Sequence, residues 1–409
     1  MFPDIPDPAL RQPLTISAIA PLYLSFYALG VLAILSNTFL LKLSLLPFIV
    51  WQAWKCAVGL DLALGLARLF GLESADGLAL WNLSYVMSIF FMTLRSFEWT
   101  FTERPLRKYE LLNDHDKTPV ERPLSISNVL LDGIDLLFNQ RGIGWSWSAN
   151  PFPGRNAPPL SIGSILARLL IKITMFDAAL YLLQLACPSV NQPRGGTLFD
   201  PSLTFWPRIA AAGFAATCGG AWSYASVDSM YHLATLIGRI ILRQPASQWP
   251  PISRRPWMAT SIQEFWGFRW HQFFRHFFIT FGARPGGALL GQPGALIGAF
   301  TISAVIHHVG LWGVGQGTEF SSGGGFFVFM GLGAAMEAAF KKLTGLHVGG
   351  FIGKLWTIFW IMLWGAFMLD GWARRGLLSS PENFRPGKSL VDAVIAPWRQ
   401  IVVSYYQSR

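Results

Sequence analysis

Four of the chain's seven histidines, His271, His276, His307 and His308, lie between Trp257 and Trp312. Glu264, Arg269 and Arg275 share that stretch, crowded among tryptophans and phenylalanines. His307 and His308 sit inside GALIGAFTISAVIHHVGLWG, a run hydrophobic enough to enter a bilayer. An ionisable side chain at membrane depth costs free energy, so it marks a candidate functional site. A neutral imidazole is suited to taking a proton from an alcohol. No nucleophilic serine or cysteine stands beside it, so direct attack of a substrate hydroxyl on an acyl thioester is more economical than a covalent acyl-enzyme. The indole of Trp270 or the side chain of Arg269 could hold the developing oxyanion. Basic loops could meet the phosphates of a coenzyme A donor. Spacing alone leaves a transporter, or a non-catalytic membrane scaffold, equally open.

Other chemistries are not signalled. The chain lacks a GxSxG elbow, a P-loop, an HExxH zinc motif and a dinucleotide-binding fingerprint. The glycine-rich stretches GVGQG (313–317) and SSGGG (321–325) read as turns or close helix packing. The histidines lack the repeated HxxxH and HxxHH boxes of a di-iron site. Cys56, Cys187 and Cys218 are too scattered for a zinc or disulfide framework. Neither a metal nor a permanently bound cofactor is expected.

These residues need a scaffold, and composition names its class. Hydrophobic residues make up 52% and charged residues 13% of 409 positions, with mean hydropathy +0.40. Soluble domains carry about 25% charged residues. Eighteen tryptophans and 32 phenylalanines suit lipid-facing and interfacial rings. The expectation is an all-α, polytopic transmembrane protein. The net charge of +10 is spread through loops, which fits juxtamembrane basic residues and not a nucleic-acid stripe.

Along the chain, residues 1–14 read as a polar tail without the basic region and cleavage site of a signal peptide, so the first apolar run should be a retained span. Candidate spans follow at 16–37, 43–70, 78–97, 164–186, 209–242, the second half of the histidine-rich stretch, 321–341 and 349–369, giving seven or eight. The 43–70 run is either one tilted helix or a short span followed by an interfacial piece. The charged loop 98–123 and the basic tail 372–409 are expected in the cytosol, flanking a membrane domain over 15–371. The segment from Leu124 to Trp147 places Ile126, Val129, Leu130, Ile134, Leu137 and Phe138 near helical spacing, as an amphipathic helix on the membrane would. It ends at Arg141, between flexible residues and Trp145. Asp228 and His232, four apart, most simply bond to each other. Residues 261–278 read as an amphipathic interfacial helix, joined by a Gly/Pro-rich connector to the run carrying His307.

Three elements, in order, carry a resemblance. They are Asn139-Gln140-Arg141-Gly142-Ile143-Gly144-Trp145; Gln248-Trp249-Pro250 through SIQEFWGFRWHQ (261–272); and Phe300 through His308 with Gly310. Over roughly residues 120–370 the chain resembles the wax-synthase-like branch of the membrane-bound O-acyltransferase superfamily, especially its fungal members in terpenoid and meroterpenoid pathways. The resemblance implies a multi-pass fold in the endoplasmic reticulum and His307 as general base, with Trp270 and His271 in the reaction chamber. Glu264, Trp266, Arg269, Arg275 and Arg141 are the residues expected to hold the acyl-CoA donor, acetyl-CoA being favoured. The implied acceptor is a hydroxyl on a hydrophobic terpenoid, or alternatively a long-chain alcohol in wax-ester synthesis. Ala304 and His308 stand where the family often has glycine and an acidic residue, so His308 either orients His307 or lines the acceptor pocket.

Overall fold

The computed structural model describes residues 8–75, 77–110, 119–149, 160–192 and 195–380. Residues 1–7, most of the tail expected at 372–409 and residues 111–118 of the 98–123 loop therefore lie outside the described residues. The described chain is helical apart from two pairs of two-residue strands. In chain order the helices are α1 (Ile16–Ile34), α2 (Phe39–Gly59), α3 (Leu62–Leu69), α4 (Ala79–Phe101), α5 (Ile126–Phe138), α6 (Ile162–Ala186) and α7 (Phe205–Leu236). They continue with α8 (Ile262–Glu264), α9 (Arg275–Phe277), α10 (Arg284–Val314), α11 (Phe320–Thr344) and α12 (Gly350–Ala373).

Local chemistry starts several of them. Side-chain oxygens of Thr15, Asp61, Ser125 and Ser161 accept backbone N–H groups three residues on, satisfying donors that a helix start leaves unpaired. Leu60–Asp61 pairs in parallel with Gln12–Pro13, and the 43–70 run accordingly divides into α2 and the short α3. In α5, Val129, Gly133 and Leu136 are buried while Ile126, Leu130, Leu131 and Ile134 are exposed. A Cβ on Gly133 would come within 2.7 Å of Val31, so the glycine lets α5 lie close against α1.

Six helical segments are long and apolar enough to cross a membrane, making this a multi-pass integral membrane protein. They are α1, α2, α6, the Arg275–Val314 segment, α11 and α12. The helices α4 and α7 reach comparable length but are not among these six. Large apolar residues exposed along the spans, such as Leu40, Ile171, Phe351 and Ile352, are what lipid replaces water around.

The expected Gly/Pro connector is where the structure departs most from the sequence reading. Residues 275–289 are helical, through a wide-turned stretch at Phe278–Ala283, and the chain reverses at Leu290 and Gly291 before residues 292–314 return. Gly291 adopts φ 64°, a left-handed conformation that glycine tolerates. The two arms touch through glycines. A Cβ on Gly286 would lie 2.1 Å from the Gly294 carbonyl oxygen, and one on Gly282 2.4 Å from that of Gly298. Gly282 and Gly286, like Gly294 and Gly298, are four apart on one helix face, which lets two backbones approach in a membrane. At 1.5 Å per residue the first arm extends about 22 Å, short of an apolar core of about 30 Å.

Candidate active site

His307 lies on the returning arm of this hairpin, in the wall of a chamber of about 490 Å³. The other walls come from α7, α8 with its wide-turned extension Phe265–Arg269, α11 and α12. The His307 Nδ1 is 2.8 Å from the carbonyl oxygen of Ser303, one turn earlier. A carbonyl only accepts, so Nδ1 carries the hydrogen and Nε2 keeps a lone pair. The Phe327 ring lies 4.0 Å from the imidazole, tilted by 30°, and limits its rotation. This arrangement presents a neutral imidazole as a base.

The segment SIQEFWGFRWHQ forms the opposing wall through its own turn chemistry. Ser261 Oγ accepts the Glu264 N–H at 2.9 Å, and Glu264 Oε2 accepts the Thr260 N–H at 2.7 Å. This is a reciprocal cap. Glu264 Oε1 is held by Arg269 Nε and Nη2 at 2.7 and 2.6 Å, and Arg269 Nη1 also donates to the Arg254 carbonyl. Burial opposes ionisation of Glu264, yet these bonds from Thr260 and Arg269 hold its carboxyl below the usual range. Glu264 and Arg269 thus brace the segment and do not line the chamber.

Trp266, Trp270 and His271 do line it. Trp270 stacks on Phe265 at 5.3 Å, and Trp266 packs edge-on against Phe300, Phe326 and Phe327. His271 lies 5.5 Å from Trp270 and edge-on to Phe274. Burial first, then the nearby His307, push the His271 imidazole down to about 3, so it is neutral at ordinary pH.

A second cavity, of about 250 Å³, adjoins the chamber. Arg141, Arg254 and Arg275 line it, with His276 and no Asp or Glu among the described lining residues. Arg141 is steadied by Tyr231 Oη at 2.9 Å and the Pro250 carbonyl at 2.7 Å. Gly267, Gln272 and Arg275 line both cavities. Arg275 donates to the Gly267 carbonyl and to Gln272 Oε1, so the partition is itself hydrogen-bonded.

The remaining polar candidates lie elsewhere. His308, next in sequence to His307, faces Phe320 and Thr318 and is absent from the described chamber wall. His276 Nε2 is 2.6 Å from Glu98, which also pairs with buried Arg95, while its Nδ1 accepts the Ala149 N–H. His232 bonds to the Asp228 carbonyl, and Lys172 lies 3.6 Å from the Asp228 carboxylate. Among the described residues no three His, Cys, Asp or Glu side chains converge as a metal site.

Sequence reasoning missed Gln272, Gly267 and Arg254 as wall residues, and it missed Glu337. That buried carboxylate on α11 accepts the Ile262 and Gln263 N–H groups at 2.6 and 3.0 Å and the Trp356 indole at 3.0 Å. It pins the start of the wall segment to α11 and α12. The hairpin had a legible signal in its two small-xxx-small pairs; Glu337 had none, its backbone partners being about 75 residues distant.

The family model described as "Membrane bound O-acyl transferase family" matches residues 249–329, the stretch holding the wall segment, the hairpin, His307 and Phe327. The chain is 24% identical over 68% of its length to the O-mevalon transferase macI of Penicillium terrestre, of which the match spans 70%. It is 30% identical over 37% of its length to the acetyltransferase eriL of Hericium erinaceus, covering 41% of that protein. It is 26% identical over 33% of its length to a probable long-chain-alcohol O-fatty-acyltransferase of Arabidopsis thaliana, covering 43% of that protein. The matches support a membrane-embedded acyltransferase of the membrane-bound O-acyl transferase superfamily.

Proposed function

We propose that the protein transfers acetyl from acetyl-CoA to a hydroxyl of a hydrophobic terpenoid or meroterpenoid, with His307 as general base. The observation that carries this reading is the free Nε2 of His307 in an apolar chamber that adjoins an arginine-lined cavity. Nε2 takes the alcohol proton as the alcohol oxygen attacks the thioester carbonyl. The tetrahedral intermediate collapses, the carbon–sulfur bond breaks, and the imidazolium returns the proton to the departing thiolate. No acyl-enzyme forms. Trp270 is the proposed donor to the oxyanion, because Arg269 is already committed to Glu264 and to backbone carbonyls. Three arginines with no carboxylate among the described lining residues suit the phosphates of the donor, with Arg141, Arg254 and Arg275 nearest and Glu264, Arg269 and Trp266 shaping the wall. We place the 98–123 loop and the C-terminal tail in the cytosol, in a protein of the endoplasmic reticulum, and count α4 and α7 with the six apolar spans.

A second reading, transfer of a long acyl chain to a fatty alcohol, is favoured by the likeness to the Arabidopsis protein. In isolated membranes supplied with labelled acetyl-CoA and terpenoid alcohols, His307→Ala should lower ester formation roughly 100-fold or more at unchanged protein level. Undiminished acetyl transfer would remove His307 from the chemistry. Labelled fatty acyl-CoA with a long-chain alcohol separates the second reading. Movement of alcohol without ester would point to transport.

A further inference from the structure

The chamber owes part of its width to side chains that are missing. Gly220 on α7 and Gly365 on α12 both line it. A Cβ added at Gly220 would meet nothing within 4 Å, and one at Gly365 would find its nearest neighbour, Phe326, at 3.9 Å. Gly219 and Gly371, on the same two helices, behave differently. A Cβ on Gly219 would fall 2.4 Å from Leu369, and one on Gly371 2.3 Å from Ser322, so those glycines serve helix packing. Gly220 and Gly365 have neither a close neighbour nor a left-handed backbone to require them. Glycine inside a helix is unfavourable relative to alanine, and what it leaves at these two positions is empty space in the chamber. The contacts Thr217 to Met362 and Trp222 to Trp372 join α7 and α12 on either side of the two glycines in sequence. Trp372, 8% exposed, also lines the chamber, and its indole N–H has no partner among the described residues.

We propose that Gly220 and Gly365 determine acceptor specificity by making the chamber broad enough for a ring-bearing, oxygenated alcohol in preference to a slender linear one. The proposal rests on the acyl-transfer reading above. A flat or branched skeleton fills a wide apolar cavity and gains contact on both faces, whereas a single alkyl chain leaves voids that forfeit dispersion. An oxygen on the skeleton can also accept from Trp372, which a saturated chain cannot do.

The test uses the full chain in membranes with labelled acetyl-CoA and two acceptor sets, a panel of polycyclic terpenoid alcohols and 1-hexadecanol. The unsubstituted chain is expected to favour a member of the polycyclic panel. Gly220→Leu and Gly365→Leu should each lower the ratio of kcat/KM, polycyclic over linear, at least tenfold. Gly220→Ala and Gly365→Ala, which keep the helix and add one methyl, should move the ratio the same way by a smaller factor and decide the matter if a leucine variant does not fold. A preference for hexadecanol, or a ratio unmoved by all folded variants, overturns the proposal. Absence of ester from every alcohol, with no release of coenzyme A, instead overturns the acyl-transfer reading on which it rests.

Discussion

The two cavities that meet at Gly267, Gln272 and Arg275 are built from opposite materials. One is walled by glycines, aromatic rings and the imidazoles of His271 and His307; the other by three arginines without a described carboxylate. An apolar wall gives little to a phosphate, and an arginine cluster gives little to a hydrocarbon skeleton. Joined by a partition a few residues wide, they suit one polyanionic and one apolar reactant meeting at their boundary. On the proposed function, the position of His307 on the apolar side is where the alcohol would meet it.

The largest expected effect that tests this contrast is at the shared wall. Glu337→Ala strands the N–H groups of Ile262 and Gln263 and the Trp356 indole. Buried donors left unpaired cost about 1–3 kcal/mol each, so thermal unfolding should shift strongly and turnover should fall for every acceptor and donor alike. A loss confined to one reactant would show that the two cavities do not depend on a common wall.

A smaller, one-sided effect is expected on the cationic side. Arg254→Ala removes a guanidinium that lines the arginine cavity and packs 4.7 Å from Phe268. KM for acetyl-CoA should rise about tenfold, the equivalent of one charge-assisted hydrogen bond, and less at high salt because the site is open to screening. Acceptor KM should not change. If the acceptor constant moves instead, the assignment of reactants to cavities is reversed.

The smallest effect concerns His271. Its folded value of about 3 lies below the ordinary 6.5, so between these limits the unfolded chain binds more protons than the native one. The stability tied to the neutral imidazole is therefore complete above pH 6.5 and is lost as pH falls toward about 3. His271→Phe should flatten the decline in Tm between pH 7 and 4 in detergent. An unchanged slope would mean that the chamber wall at His271 is wet.

Local features were readable early because their causes are local. The apolar face of α5 repeats with the helical period. The residue pattern alone did not separate His307 from His308; only the family resemblance singled out His307. Successive helical residues point about 100° apart, and only the placement of α11 brings Phe327 to one and Phe320 to the other. The hairpin was half legible: GARPGGALLGQPGALIG looks like a connector because glycine and proline weaken isolated helices, yet in an apolar medium those glycines let two backbones touch.

By itself the sequence determined the all-helical, multi-pass character, because long apolar runs must satisfy their own backbone hydrogen bonds in lipid. It also determined that a histidine would be buried at membrane depth. Tertiary structure decided which imidazole nitrogen is free and which glycines open space instead of closing a contact. It also decided that Glu337 would anchor a segment about 75 residues away. Those outcomes depend on which helix faces meet, and no property of a single run of residues sets that.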